Sequence, residues 1–234
     1  LAYSVQLLFD FAGYSAMAIG LGLMIGFQFI ENFDAPYSSR SITEFWRRWH
    51  ISLSLWLRDY LYLPLGGNRR GAARTYVNLS LTMVLGGLWH GANWTFILWG
   101  AWHGLWLAIE RALGAKSQSS VWPALIAWPM TMILVIIGWV MFRASTVAEA
   151  LNIYAAMAGL NGWSLSNTMA WQIQPTEITA LIFGVVISVY GQRFAALAQN
   201  TPDTLRLASN LTLMSMACIA LLAQSHSPFL YFQF

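Results

Sequence analysis

Residues 1–30 contain a single charged side chain, Asp10, and residues 122–142 contain none. An apolar run of roughly 20 residues suffices to carry a helix across a bilayer. Within hydrocarbon the backbone polar groups must be satisfied by the chain itself, which favours helix. Composition extends this to the whole chain. Only 9% of its 234 residues are charged and 58% are hydrophobic, against about 25% charged in an ordinary soluble domain. Thirteen tryptophans and thirteen phenylalanines add rings of the kind enriched at membrane interfaces. The expectation is an all-α, polytopic integral membrane protein. The net charge of +3 does not indicate nucleic acid, because the basic residues are local: seven of the twelve lie between Arg40 and Arg74. Such a cluster predicts cytoplasmic loops by the positive-inside rule.

Along the chain, Tyr3, Gln6, Asp10 and Tyr14 recur at helical spacing in the first span. Their shared face is expected to look into a bundle. Ala18, Gly22 and Gly26 repeat every four residues and predict close helix contact. A polar linker over 31–39 precedes Ser41-Ile42-Thr43-Glu44, which reads as a capping box. One aromatic helix is predicted over 42–62, with Trp46, Trp49, Leu53, Trp56 and Tyr60 in one stripe. Thr43, Arg47, His50 and Ser54 fall on an adjacent face, with Glu44 placed to pair with Arg48. Its mixed polarity suits an interface or a protein-lined cavity.

The glycine-rich basic stretch at 64–74 is expected to be a loop. Two helices, over 76–89 and 94–112, are predicted to break at His90-Gly91-Ala92-Asn93. The first is short for a full span. Polar loops follow at 114–120 and 161–174, with a span over 122–142 and an amphipathic surface helix over 146–157. Spans over 178–190 and 207–223 come last, then an aromatic tail over 225–234 suited to an interface. The total is about six embedded helices.

Two histidines, His50 and His90, each beside a tryptophan, sit in these apolar segments. A group that titrates near neutrality in an apolar setting is a functional candidate. Gly86, Gly87 and Gly91 surround His90 with little bulk and are expected to leave room for a substrate. A neutral imidazole there suits general-base work on a hydroxyl, with Asn93 or Thr95 placed to orient it. His103, in line with Trp99 and Trp106, suits an orienting or structural role. Asp10 is either a hydrogen-bond hub or a substrate contact. No HxxxH or HExxH pair predicts a metal site, and no GxSxG elbow predicts a serine hydrolase. The lone Cys218 is expected in the core or facing lipid.

The stretches SITEFWRRWHISLSLWLRDYLYLPLGGNRRG and LTMVLGGLWHGANWTFILWGAWHGLWLAIER resemble the membrane-bound O-acyltransferase family, and within it the bacterial alginate O-acetyltransferase branch. The opening FDFAGYSAMAIGLGLMIGF and the terminal PFLYFQF fit the same branch. The resemblance implies a helical bundle with broken or re-entrant helices around a tunnel. It places residues 1–234 as the C-terminal catalytic portion of the membrane domain, without the N-terminal helices. The family's essential histidine falls on His90 and its second motif histidine on His50. The branch usually carries an acid where Ala16 stands.

The activity implied is transfer of an acetyl group from a cytoplasmic thioester to hydroxyls of an extracytoplasmic polysaccharide, alginate first. Acetyl-CoA or another acyl thioester is the implied donor, with no bound cofactor. Arg47, Arg48 and Arg58 would favour that anionic donor, and Trp89, Asn93 and Asp10 would contact substrate. The implied setting is the bacterial inner membrane, multi-pass, with periplasmic acetyltransferase partners. Two alternatives stand beside it: acylation of teichoic acid or peptidoglycan, and a transporter subunit for polysaccharide or lipid-linked sugar, whose midplane sites also use broken helices.

Overall fold

The structure, a computed structural model, describes residues 1–114, 120, 122–162 and 173–223. The predicted loops at 114–120 and 161–174 fall mostly, and the tail at 225–234 wholly, outside these residues. The chain is 77% helical, with no strand among the described residues. It is an all-α protein. Among the described residues three helices, Ala2–Met24 (α1), Ala124–Arg143 and Pro175–Gln199, are long and apolar enough to cross a membrane.

α1 does not bury the face its polar stripe predicts. Ser4, Leu7, Leu8, Ser15 and Gly22 are buried, while Gln6 and Tyr14 are exposed. The Ala18-Gly22-Gly26 stripe does not meet a neighbouring helix. The helix ends at Met24 and Gly26 lies beyond it at φ +87°, where glycine carries no Cβ penalty. Gly22 instead receives the ring of Phe29, which a Cβ would meet at 2.4 Å.

The linker is a strap. A short 3-10 turn, Pro36–Ser38, places Tyr37 in the core, where its hydroxyl donates to the Ser4 carbonyl at 2.6 Å. Phe33 forms an isolated antiparallel bridge with Trp49. The Asp34 N–H donates to the Arg48 carbonyl and the Ile51 N–H to the Asn32 carbonyl, both at 3.0 Å.

That strap cuts the predicted helix over 42–62 in two. α2, Ile42–Arg48, opens on the predicted capping residue, with the Glu44 N–H donating to Ser41 Oγ at 3.0 Å. Glu44 pairs with Arg48 at 2.9 Å, as expected. α3, Ile51–Leu57, runs into a wide turn over Arg58–Tyr62, closed by Leu63 N–H to the Arg58 carbonyl at 2.9 Å. Between them His50 sits in left-handed backbone at φ 44°. Outside glycine that conformation is uncommon and needs its surroundings to hold it.

α4, Gly71–His90, and α5, Trp94–Ala112, form the most extensive helix pair. The first is longer than the sequence predicts, because it begins within the basic loop. Asn78, fully buried, donates its amide to the Leu65 and Gly67 carbonyls and pins that loop to the helix. The break at 90–93 is where it was expected. The seam is made of glycine: a Cβ at Gly87 would stand 2.2 Å from the Phe96 carbonyl oxygen, and one at Gly100 2.3 Å from that of Met83. Backbones this close are how helices associate where burial in lipid gives little driving force.

α6, Ala124–Arg143, crosses behind this hairpin, and Trp102 of α5 donates its indole N–H to the Leu134 carbonyl at 2.9 Å. α7, Val147–Met157, is the expected surface helix, capped by Thr146. Hydrogen bonds from the hydroxyl and N–H of Ser145 hold the Glu149 carboxyl below its ordinary pKa. α8, Pro175–Gln199, is longer than predicted, and α9, Asp203–Ala223, closes the described chain with Cys218 exposed. α4, α5 and α9 match the spans in length but are less apolar, so among the described residues three of the expected embedded helices meet the length and hydropathy of a crossing. The core is aromatic: Phe45, Trp99, Trp139 and Phe142 meet Leu7, Ile42, Leu134 and Val135 between α1, α2, α5 and α6.

Candidate active site

His50 and His90 line one cleft. His50 is brought there by the left-handed turn between α2 and α3, and His90 by the end of α4, where the chain breaks before α5. The other walls are Leu7, Phe11, Trp46, Trp49, Leu53, Trp99, Trp139 and Phe142. The rings approach edge-on. Phe11 is 4.7 Å from His50 between centroids, while Trp99 and Phe142 are 5.3 and 5.1 Å from His90. Trp89 touches both imidazoles, at 6.5 Å from His50 and 4.9 Å from His90, and presents most of its surface outward. The cleft is tight. Its free volume is about 10 Å³, at the threshold for a single water.

The glycines near His90 do not leave the room that was expected of them. A Cβ at Gly91 would meet the Phe96 ring at 2.7 Å, and one at Gly86 would meet Leu57 at 3.1 Å. Protein fills both places. The expected orienting residues are also engaged elsewhere. Asn93 donates its amide to the Ser145 carbonyl at 2.8 Å and caps α5 by accepting the Thr95 N–H at 3.3 Å. The Thr95 hydroxyl is buried without a hydrogen-bond partner and lines a separate apolar pocket against α6 and α7. From α1 it is Leu7 and Phe11, not Asp10, that line the cleft.

The three arginines do not gather at the histidines. Arg47 and Arg58 line a groove of about 400 Å³ between α2, α3, α4 and α5, together with Arg111 at the end of α5. Apolar side chains, among them Ile51, Leu55, Leu79 and Leu107, form its floor. Arg58 is paired with Asp59 at 2.7 Å. Arg48 does not join the other two in that groove. It pairs with Glu44 and, at 3.5 Å, with Asp34, and with Arg40 and Arg47 lines a polar hollow beside α2, so that Arg47 borders both spaces.

His103 stands one ring behind the cleft. It is fully buried, with Phe45 stacked at 6.2 Å and Trp46 and Trp99 edge-on at 5.2 and 5.3 Å. Trp106, expected on the same face, turns instead to Trp102 and Trp122. No group of three His, Cys, Asp or Glu side chains is placed to hold a metal ion among the described residues.

Glu110 is the residue the sequence reading missed. It lies fully buried in the last turn of α5, and its two oxygens accept from the N–H groups of Ile42 and Thr43, at 2.7 and 2.9 Å, and from the Thr43 hydroxyl at 2.8 Å. A carboxylate on the free N–H groups of a helix start is favoured by hydrogen bonding and by the helix dipole. Glu110 thereby fixes α2, which ends two residues before His50. Its signal was available: it is the first Asp, Glu, Lys or Arg after Arg74. Asn32 is the second omission. Its carboxamide oxygen accepts from the N–H and hydroxyl of Ser52, at 3.1 and 2.6 Å, and holds the start of α3.

The model of the membrane-bound O-acyltransferase family matches residues 1–148. A probable alginate O-acetylase of Pseudomonas putida is 51% identical over all of this chain and 52% of its own length. A probable alginate O-acetylase of Azotobacter vinelandii is 51% identical over all of this chain and 54% of its length. A peptidoglycan O-acetyltransferase of Helicobacter pylori is 39% identical over all of this chain and 48% of its length. The chain therefore spans about half the length of these curated relatives. The family match covers both histidines, the strap and the α4–α5 hairpin, and the chain belongs to the membrane-bound O-acyltransferase family.

Proposed function

We propose that this chain carries the histidine-bearing portion of a bacterial inner-membrane enzyme that moves an acetyl group from a cytoplasmic thioester, acetyl-CoA first, to hydroxyls of an extracytoplasmic polysaccharide. One observation carries the reading: His50 and His90, forty positions apart in the chain, line the same cleft. The acceptor hydroxyl loses its proton to a nitrogen of the His90 imidazole as its oxygen attacks the thioester carbonyl carbon. A C–O bond forms, the C–S bond breaks, and the proton passes from His90 to the departing thiolate. His50, on the facing wall, orients the carbonyl. General base catalysis of this kind contributes about 10²–10⁴-fold.

The placement of the groove supports a donor arriving from the basic side. Its walls include Leu79, Thr82 and Met83 of α4 and Leu107 and Arg111 of α5. On α5 these are the last turns, at Arg111, and on α4 they are its middle turns; Arg69 and Arg70 precede α4 and Arg74 lies in its first turn, whereas His90 closes α4 at its other end. Over the 20 residues of α4 the rise is about 30 Å, so donor and acceptor would approach from opposite sides. Arg47, Arg58 and Arg111 would meet the donor's phosphates. Alginate is the acceptor that the names of the Pseudomonas putida and Azotobacter vinelandii relatives favour. Peptidoglycan is the second reading, favoured by the full-chain match to the Helicobacter pylori enzyme. Periplasmic acetyltransferases are the natural partners on the acceptor side.

His90→Ala in the full-length protein, expressed at the wild-type level in membranes, is expected to lower polysaccharide acetylation by at least about 10²-fold. Mass spectrometry of ester-linked acetyl groups reads this directly. Undiminished acetylation at equal expression would overturn the assignment.

A further inference from the structure

Two spaces meet at Trp46. On one side is the tight cleft of His50 and His90, on the other the arginine-rimmed groove. Among the side chains lining either, Trp46 is the one that lines both. Its indole packs edge-on against Trp99 at 5.6 Å and His103 at 5.2 Å, and its N–H is buried with no hydrogen-bond partner. Two other indoles are tethered, Trp102 to the Leu134 carbonyl and Trp128 to that of Tyr37, at 2.9 and 2.8 Å, while those of Trp99 and Trp106 are, like that of Trp46, buried with no partner. Trp46 is therefore held by packing alone, at the wall between a space of about 10 Å³ and one of about 400 Å³.

We propose that Trp46 sets the length of the acyl group this protein transfers. The inference rests on the acyl-transfer reading. A thioester lying in the groove reaches the histidines only past this indole, so its carbonyl arrives where the ring stands and the rest of the acyl chain must fit beyond it. The space beyond is walled by Trp49, Trp99, Trp139 and Phe142. A two-carbon group asks for the smallest displacement of the indole. Each further methylene competes with the ring for the same volume, and cores packed at this density do not yield a methylene freely.

The test is a competition in permeabilised cells carrying the full-length protein, supplied with acetyl-CoA and propionyl-CoA at equal concentration. The measured quantity is the ratio of propionyl to acetyl esters on the polysaccharide. That ratio does not depend on how much enzyme folds. One methylene in an apolar pocket is worth roughly 10–200-fold discrimination, so the wild type is expected to favour acetyl at least about tenfold. Trp46→Leu is expected to raise the propionyl share about tenfold, Trp46→Phe by less. Leu125→Ala, exposed on α6 and lining neither space, should leave the ratio unchanged. An unmoved ratio in both Trp46 variants, or loss of both esters in both, would overturn the role of Trp46 while acyl transfer by the wild type stands. Absence of both esters in the wild type would overturn acyl transfer itself.

Discussion

The α4–α5 hairpin and the α8–α9 region treat the same kinds of residue in opposite ways. α8 is apolar enough to cross a membrane, yet only Gly184 and Ser188 are buried along it. α9 is exposed at every position whose burial is described. α4 is less apolar than α8, and it buries Thr75, Asn78, Thr82, Met83, Gly86 and Gly87. Small and polar side chains thus mark the seam where α4 meets α5, and hydrophobicity by itself does not decide burial, since the still more apolar α6 buries Leu134, Val135, Trp139 and Phe142. The physical reason is that lipid tails already satisfy leucine, so close backbone approach and buried hydrogen bonds decide the contacts. The two histidines belong to the part of the chain built in that second way.

The sharpest test of this contrast compares two acids. Glu110→Ala removes the acceptors of two buried N–H groups and a hydroxyl and leaves a cavity, at a cost of about 3–5 kcal/mol. Glu177→Ala, in the first turn of α8 and exposed, should scarcely move stability. Thermal unfolding of the full-length protein in detergent would compare them. A small loss for Glu110→Ala would mean that α2 is fixed by packing alone.

Glycine gives the next comparison, and a smaller effect. Gly100→Ala places a methyl 2.3 Å from the Met83 carbonyl oxygen, a backbone atom, whereas a Cβ at Gly191 of α8 meets nothing within 4 Å. Both changes gain about 1 kcal/mol of helix propensity. At Gly191 that gain should survive. At Gly100 overpacking of about 3 kcal/mol reverses it, for a net loss of about 2. The same unfolding measurement should therefore move in opposite directions for the two variants, and movement in the same direction would dissolve the distinction between the regions.

How much of this was legible in the sequence follows from the range of the interactions involved. The helical segments, the break at His90 and the cap at Ser41 rest on neighbours within a few residues, and all could be read. Both histidines were identified because each is unusual in its own segment. The division of the predicted helix over 42–62 was not legible, because nothing in that stretch demands it. The turn at His50 is imposed from outside by the carbonyl and side chain of Asn32 and the bridge from Phe33. The glycines around His90 carried a correct signal, closeness, whose object was misread: Phe96 and Leu57 fill the space that was expected for substrate. Trp46 could be placed on a helix face, but its position between two cavities exists only in the assembled bundle.

Ion pairs give the smallest effects, and here the two regions should converge. Arg48 bonds to Glu44 and Asp34 beside the strap, with a quarter of its side chain exposed. Arg206 pairs with Asp203 on α9, where that aspartate is 89% exposed. Exposed pairs are worth about 0–1 kcal/mol, since solvent screens them and fixing long side chains costs entropy. Arg48→Ala is expected to cost under about 1 kcal/mol, somewhat more than Arg206→Ala, whose effect should be close to zero. Raising the salt concentration during unfolding should shrink the Arg48 difference further. A cost for Arg48→Ala rivalling that of Glu110→Ala would show that the polar hollow beside α2, and not the buried cap at its start, holds His50 in place.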